Sequence, residues 1–489
     1  MDEDNIINLS IDWDRLIQEY EKRSRRSQVA EKKGIYQVSS QKNPSLPPSI
    51  QLRDYQQQAV INWFKNKGRG TLKMATGSGK TITALAIAIE LYQKIGLKVL
   101  LVVCPYRHLV TQWDRECQKF NLNPILAFDS VHHWQNELSN QLYNIHSSHQ
   151  SFLTIITTNS TLISEGFQSQ VKFFPDKSLI IGDEAHHLGS PRLEESLPRN
   201  IGLRLALSAT PERYFDEEGT ESLLSYFGKI IQPEFTLKDA IKKQALVSYL
   251  YYPIFVELTE SEAFIYAKLT QRIGWALAKN ERLINNENLT SLLMQRSRLI
   301  GTAENKLIAL QELMKTRLDT HHTLFYCGDG YIDNGTHNYQ RQIEAVTRIL
   351  GVELGYRVNT YTAETPLEER EKIRQQFERG DLQGLVSIRC LDEGVDIPEI
   401  QQAVILASTG NPHQFIQRRG RVLRPYPNKK QATIYDMIVM PPDLDRATWE
   451  VERNLLRKEL KRFMEFAKIA NNAEEASQKL MDIQEQYKL

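Results

Sequence analysis

The segment MATGSGKT, Met74 to Thr81, sets a glycine-rich turn directly before an Ala- and Leu-rich helical run. Such a turn aims several backbone N–H groups at a polyphosphate, while Lys80 supplies a positive charge and Thr81 a hydroxyl suited to Mg2+. The strict phosphate-loop pattern asks for Gly at the position of Met74, so Gly77, Ser78, Gly79, Lys80 and Thr81 carry the match. Further along, the apolar run Leu179 to Gly182 leads into Asp183 and Glu184. Acids at the carboxyl end of a buried strand stand where open parallel sheets gather ligands. Asp183 suits Mg2+, reached through water, and Glu184 suits the attacking water as proton acceptor or orienting group. Breaking a γ-phosphate bond also needs cations where negative charge spreads. QRRGRVLRP, Gln417 to Pro425, offers them: Arg421 and Arg424 share a face if the segment is helical, and both can then reach one phosphate. Arg418 and Arg419 point elsewhere and read as solvated charges.

These residues need a scaffold that brings them to one edge. Over 49–235, the apolar runs Lys98 to Cys104, Thr154 to Thr158, Leu179 to Gly182 and Leu203 to Leu207 alternate with helical segments, as strands buried on both faces do. The helix opening at Lys80 ends near Gly96. A second alternating stretch, 318–445, has strand candidates Thr323 to Cys327, Arg357 to Tyr361, Leu385 to Arg389, Ala403 to Ala407 and Ala432 to Met437. Within it, Thr365 as cap, Pro366 at the first position, Glu368 completing a capping box and Gly380 past the end delimit a helix. The fold class is therefore α/β, with two tandem lobes built on parallel sheets. Residues 236–317, rich in helix formers, read as a helical inter-lobe segment, 1–48 as a helical leader and linker, and 446–489 as a charged helical tail.

A chain of 489 residues exceeds what one core usually serves, and its 41% hydrophobic share suits a folded protein. Its longest apolar run, Val99 to Cys104, is too short for a bilayer, and MDEDNI lacks the pattern of a signal peptide, so a cytoplasmic protein without membrane partners is expected. The 4 cysteines are scattered, which argues against a zinc site or a disulfide framework. The pairs His132–His133, His186–His187 and His321–His322 do not suggest a metal either, because neighbours on a strand face opposite ways. With 61 Lys and Arg against 60 Asp and Glu, any polyanion footprint must be local. The basic stretch Glu21 to Lys33 reads as phosphate contact or as a solvated helix end. Tyr249, Tyr251, Tyr252, Trp63, Trp113 and Trp275 could stack bases, although packing is the commoner fate of such residues.

In chain order, LRDYQ (Leu52 to Gln56), MATGSGKT, DEAH (Asp183 to His186), SAT (Ser208 to Thr210), DEGVDIP (Asp392 to Pro398) and QRRGRVLR resemble the motif set of the superfamily 2 helicases and translocases, in the group with type III restriction-enzyme and XPB-like motor subunits. The likeness covers 49–440. It implies two RecA-like lobes with ATP and Mg2+ between them and nucleic acid lying across both. It also implies that Gln56 reads the adenine edge with support from Arg53 and Tyr55. Ser208 and Thr210 would couple hydrolysis to strand movement through His186, with Gln417 in the same role. Gly394 and Asp396 would line the second lobe's side of the cleft, and Arg421 and Arg424 would act as arginine fingers. Pro105 to Trp113, with Thr157 and Thr158, occupies the place of a backbone-phosphate grip. One departure stands out. XPB-like motors carry Arg-Glu-Asp after SAT, linked to strand separation, where this chain has Pro211, Glu212, Arg213, Tyr214, Phe215 and Asp216. The expected activity is an ATP-dependent nucleic-acid motor, on DNA ahead of RNA, with translocation ahead of strand separation. An RNA-remodelling helicase and a nucleotide-gated clamp or scaffold in a defence or repair complex are the alternatives. No nuclease signature stands out, so any cutting falls to a partner subunit.

Overall fold

The structure, a computed structural model, describes residues 11–30, 43–213, 216–279, 287–333, 339–362, 364–388, 397–407 and 419–489. The chain divides into two units, Met1–Leu237 and Lys238–Leu489.

Strands of the first unit are β1 (Arg69–Lys73), β2 (Val99–Cys104), β3 (Ile125–Ala127), β4 (Leu153–Thr158), β5 (Ser178–Asp183) and β6 (Leu203–Ser208). They form one parallel sheet in the order β1-β6-β5-β2-β4-β3. Parallel neighbours need crossovers, and helices supply them on both faces. Alternation along β2 shows the two-sided core: Leu100, Val102 and Cys104 pack into one cluster, and Val99, Leu101 and Val103 into the other. The helix Trp13–Ala30 of the leader docks on the first cluster through Leu16 and Tyr20, with Trp13 edge-on to Trp63 at 6.3 Å between ring centroids. Within the basic stretch, Arg23 is paired with Glu90, which accounts for one of its charges by internal contact. Lys32 and Lys33 fall outside the described residues.

In the second unit, strands β7 (Ser248–Val256), β8 (Thr323–Tyr326), β9 (Tyr331–Asp333), β10 (Tyr339–Arg341), β11 (Val358–Tyr361), β12 (Gly384–Ser387), β13 (Gln402–Ile405) and β14 (Gln431–Val439) follow in sequence. All but β9 and β10, which pair as an antiparallel ribbon, form a parallel sheet in the order β11-β12-β8-β13-β14-β7. Strand β7 corrects the all-helical reading of 236–317. It pairs along its whole length with β14, from Ser248 opposite Gln431 to Val256 opposite Val439. The physical reason is a two-residue period in SYLYYPIFV, which buries Tyr249, Tyr251 and Pro253 on one side. Helix formers take over only afterwards, in the helices Glu260–Lys279, Glu287–Gly301 and Asn305–Lys315.

A smaller correction concerns the helix Leu367–Glu378. Its N-cap is Pro366, in extended conformation at ψ 147°, and Thr365 accepts from the Thr362 N–H instead of capping the helix. Tyr249 and Tyr251 are buried against Phe466, so packing claims them, as it does Trp63 and Trp113, whereas Trp275 is 60% exposed. The tail is helical over Arg446–Ala467 and Ala473–Gln486. Buried Glu452 on the tail accepts from Tyr266 at 2.7 Å and pairs with Arg296 at 2.9 Å, tying the tail to the helices that follow β7. Among the described residues, no helix is long and apolar enough to cross a membrane.

Candidate nucleotide site

Sheet register assembles the first unit's motifs. Lys73 lies opposite Ser208 and Leu207 opposite Asp183, so the carboxyl ends of β1, β6 and β5 are immediate neighbours. The glycine-rich loop leaves β1, the acid pair ends β5 and SAT ends β6. One edge therefore holds all three.

Within the loop, Gly77 and Gly79 have φ of +81° and +89°, left-handed values that favour glycine. Ser78 closes the turn on the Ala75 carbonyl through Oγ at 2.7 Å and its N–H at 3.2 Å. Gly79 then opens the helix Lys80–Ile95, whose first N–H groups lack intrahelical partners and favour an anion. The Lys80 Nζ donates to the Met74 carbonyl at 3.3 Å, and Thr81 is half-buried in the first turn. Met74 itself is still strand-like: its N–H donates to the Ser208 carbonyl and its side chain is in the core. No left-handed turn is needed there, so Gly is dispensable.

LRDYQ buttresses this loop from the helix Asp54–Lys65. Gln56 Nε2 donates to the Gly79 carbonyl at 3.2 Å, and its Oε1 accepts the Arg53 N–H at 3.0 Å. The Tyr55 hydroxyl donates to the Ser78 carbonyl at 2.7 Å, and its ring stacks on Phe235 at 3.9 Å. The Gln56 amide keeps a second N–H and a second lone pair beyond these two bonds. A Cβ at Gly79 would lie 2.6 Å from Gln56 Nε2 while forcing a positive φ on a side-chain-bearing residue. Gly79→Ala is therefore expected to weaken ATP binding by about tenfold or more, since closing backbone to ligand depends on that conformation. Titration with a fluorescent ATP analogue checks it; affinity within twofold of wild type would contradict the account.

Asp183 is buried at the end of β5. Its Oδ2 accepts from Trp113 Nε1 at 2.8 Å and its Oδ1 from the Glu184 N–H at 3.0 Å. Burial, then the neighbouring Glu184 charge, pushes its carboxyl up to about 6, opposed by the Trp113 bond and by Lys80. A cation placed beside it relieves that cost. The Trp113 bond to Asp183 is a contact that the sequence does not reveal: base stacking, packing and the end of the Pro105 to Trp113 phosphate grip are the roles its residue type and place suggest, and only the fold carries it to a carboxylate 70 residues away.

Glu184 sits at φ 43°, ψ 53°, a left-handed backbone that is strained for a residue with a side chain. Among the described residues its buried Oε2 has no hydrogen-bond donor, and it lies 3.7 Å from His186 Nδ1. The same His186 nitrogen is 3.4 Å from Ser208 Oγ, which accepts the Thr210 N–H at 3.1 Å. DEAH and SAT are thus physically joined at His186 and Ser208. The set fits nucleotide and Mg2+: a left-handed glycine cradle at a helix start, a lysine above it, a buried acid held up by desolvation, and a carboxylate oxygen without a donor among the described residues.

In the second unit, residues 419–422 are helical and 423 is a turn. Arg424 therefore does not share a helix face with buried Arg421, a correction with a local cause, since Pro425 disfavours helical backbone in the residue before it. Burial lowers the Arg424 guanidinium to about 10. Lys429 ties this segment down, donating to the carbonyls of Val422 at 2.7 Å and Arg424 at 2.8 Å. Arg419 is likewise not solvated: it is 1% exposed, paired with Asp436, and lies 4.8 Å over the Phe466 ring. Gly394, Asp396, Gln417 and Arg418 lie outside the described residues.

Residues 49–213 match the family described as Type III restriction enzyme, res subunit, and residues 335–426 match the Helicase conserved C-terminal domain. The chain is 27% identical to the DNA 3'-5' translocase XPB2 of Sulfurisphaera tokodaii, over 81% of this chain and 83% of that protein. It is 25% identical to the DNA 3'-5' helicase XPB of Mycobacterium tuberculosis, over 79% of this chain and 60% of that one. Among solved structures, the ATP-dependent Type ISP restriction-modification enzyme LlaBIII bound to DNA matches 87% of this chain with 31% of its own, at 20% identity and a TM-score of 0.55, a likeness of fold.

Proposed function

Because the chain belongs to the superfamily 2 helicases of the XPB and type III restriction-enzyme group, which hydrolyse ATP, we propose that it is a DNA-stimulated motor that moves along duplex DNA in the 3'-5' sense named for its relatives. The observation that carries this reading is the DEAH turn, where Glu184 is held in left-handed backbone with a buried carboxylate oxygen that has no donor among the described residues, and His186 bridges it to Ser208. In this reading Lys80, Ser78 and the loop N–H groups hold the phosphates, Thr81 and Asp183 hold Mg2+, and Gln56 with Arg53 recognises adenine. When bound, Mg2+ neutralises charge on the phosphate oxygens. Glu184 orients the attacking water and takes its proton. His186, Ser208 and Thr210 pass the change onward, with Gln417 assigned to the same coupling. Arg421 and Arg424 are proposed as the cations for the transition state, and Gly394 and Asp396 as further nucleotide contacts. The printed names of the relatives favour DNA over RNA as the track. A nuclease or repair subunit is the kind of protein partner this role calls for, and the cytoplasm is the expected compartment.

ATPase rates on duplex DNA, single-stranded DNA and RNA at matched salt test it, since phosphate contacts depend steeply on ionic strength. Duplex DNA is expected to raise turnover by about tenfold or more, since bringing catalytic groups into register is worth up to about a hundredfold. Turnover indifferent to every polynucleotide would overturn the motor. Stimulation without displacement of a triplex-forming strand would favour the clamp instead.

A further inference from the structure

Arg213 stands directly after SAT, in the stretch where this chain departs from the XPB-like pattern, and its side chain reaches back to DEAH. Nη1 donates to the His186 backbone carbonyl, while Nε donates to Asp216 Oδ2 at 2.7 Å. Asp216 is itself fixed: its Oδ1 accepts the Gly219 N–H at 2.8 Å, capping the helix Glu217–Phe227. The Arg213 N–H in turn donates to Thr220 Oγ1 at 2.8 Å. Two glycines make room for this path. A Cβ on Gly189 would lie 2.8 Å from Arg213 Cδ and 2.2 Å from the Gly219 carbonyl oxygen, and one on Gly219 would lie 2.7 Å from Arg213 Nε and 2.6 Å from the Gly189 carbonyl oxygen. The guanidinium is thus threaded between the short turn Ala185–Gly189 and a helix start that accept it only because neither carries a side chain there.

We propose that Arg213 is a positioning residue for ATP hydrolysis, clamping the DEAH turn through the His186 carbonyl so that Glu184 keeps its strained backbone and His186 keeps its ring between Glu184 and Ser208. A left-handed non-glycine residue persists only when its surroundings over-determine it, and a single 3-10 turn is a weak restraint alone. Arg213 adds a charge-assisted bond to that turn, aimed by a carboxylate that is capped into a helix. The planar fork is needed because one guanidinium serves the carbonyl and Asp216 together, and a lysine ammonium offers no such rigid spacing. The arrangement ties SAT's downstream loop to the hydrolytic carboxylate, and it rests on the reading of this edge as an ATP site.

The test is Arg213→Lys and Asp216→Asn in the full chain. Arg213→Lys is expected to lower DNA-stimulated kcat by about tenfold or more, as displaced catalytic groups do, with KM for ATP and affinity for a fluorescent ATP analogue within about twofold of wild type. Asp216→Asn, which keeps an acceptor but weakens the aim, should move kcat the same way by less. In the nucleotide-free protein, amide exchange over 185–189 should quicken in both variants while the core strands keep wild-type protection. Unchanged kcat in either folded variant overturns the proposal. So does a fall in nucleotide affinity with kcat preserved, or unchanged exchange over 185–189. Wild-type protein without polynucleotide-dependent turnover would instead refute the motor reading, independently of either variant.

Discussion

Glu184→Gln will bind ATP with near wild-type affinity and hydrolyse it about a thousandfold more slowly, the middle of the range for removing a positioned base. Glutamine preserves the size of the side chain and leaves the loop Met74 to Thr81 untouched. It replaces a proton acceptor with an amide at an oxygen that has no donor among the described residues. The backbone strain at Glu184, φ 43°, is unaffected by the exchange, so the DEAH turn keeps its form. Binding and chemistry should therefore separate. Titration of a fluorescent ATP analogue reports the first and single-turnover hydrolysis the second. Turnover within threefold of wild type would remove Glu184 from the mechanism, and lost binding would make it part of the nucleotide pocket. By the same logic the variant should stay in its ATP-bound state on DNA, and its DNA affinity with ATP should exceed that of wild type under turnover.

The sheet was legible because strands buried on both faces announce themselves as unbroken apolar runs. VLLVVC, LTIITT and SLIIGD admit little else, and their carboxyl ends fall where the chemistry needs them. β1, RGTLK, was not legible as a strand, since only three of its residues are buried and its neighbours supply the rest of the pattern. β7 was hidden by composition: a run of tyrosines and isoleucine sits inside a region otherwise rich in helix formers, and its place beside β14 is settled by pairing over 9 residues, a long-range term. At the site, residue types fixed by local geometry could be read: glycines at positive φ, a lysine at a helix start, acids at a strand end. Contacts fixed by the fold could not. Trp113 on Asp183 and Arg213 on the His186 carbonyl join segments remote in sequence, and neither residue type signals such a partner. Arg419 is hidden for the same reason, because a guanidinium in a basic run reads as solvated until the sheet brings an acid beneath it.

That acid sets the second large effect. Arg419→Met is expected to destabilise the second unit by about 3–5 kcal/mol, the usual cost of removing one partner from a buried pair. Asp436 is fully buried on β14, held by Arg419 and by the Tyr251 hydroxyl at 3.0 Å, and its Oδ1 has no hydrogen-bond partner among the described residues. Methionine fills much of the space over the Phe466 ring but brings no charge, so among the described residues the carboxylate would be left with a single donor, the neutral Tyr251 hydroxyl. A loss of that size in a unit of this length lowers its melting temperature by about 10 °C. The double variant Arg419→Met/Asp436→Leu should recover most of the loss, because deleting both ends of a buried pair is far milder than deleting one. Affinity for a fluorescent ATP analogue in the single variant should stay near wild type below the new transition, where the second unit is still folded and the loop Met74 to Thr81 of the first unit is unaltered. A melting temperature within 2 °C of wild type would mean that the guanidinium is hydrated in solution and that Asp436 is not its dependent. A double variant no better than the single would place the cost in lost packing on Phe466 instead of in the orphaned charge.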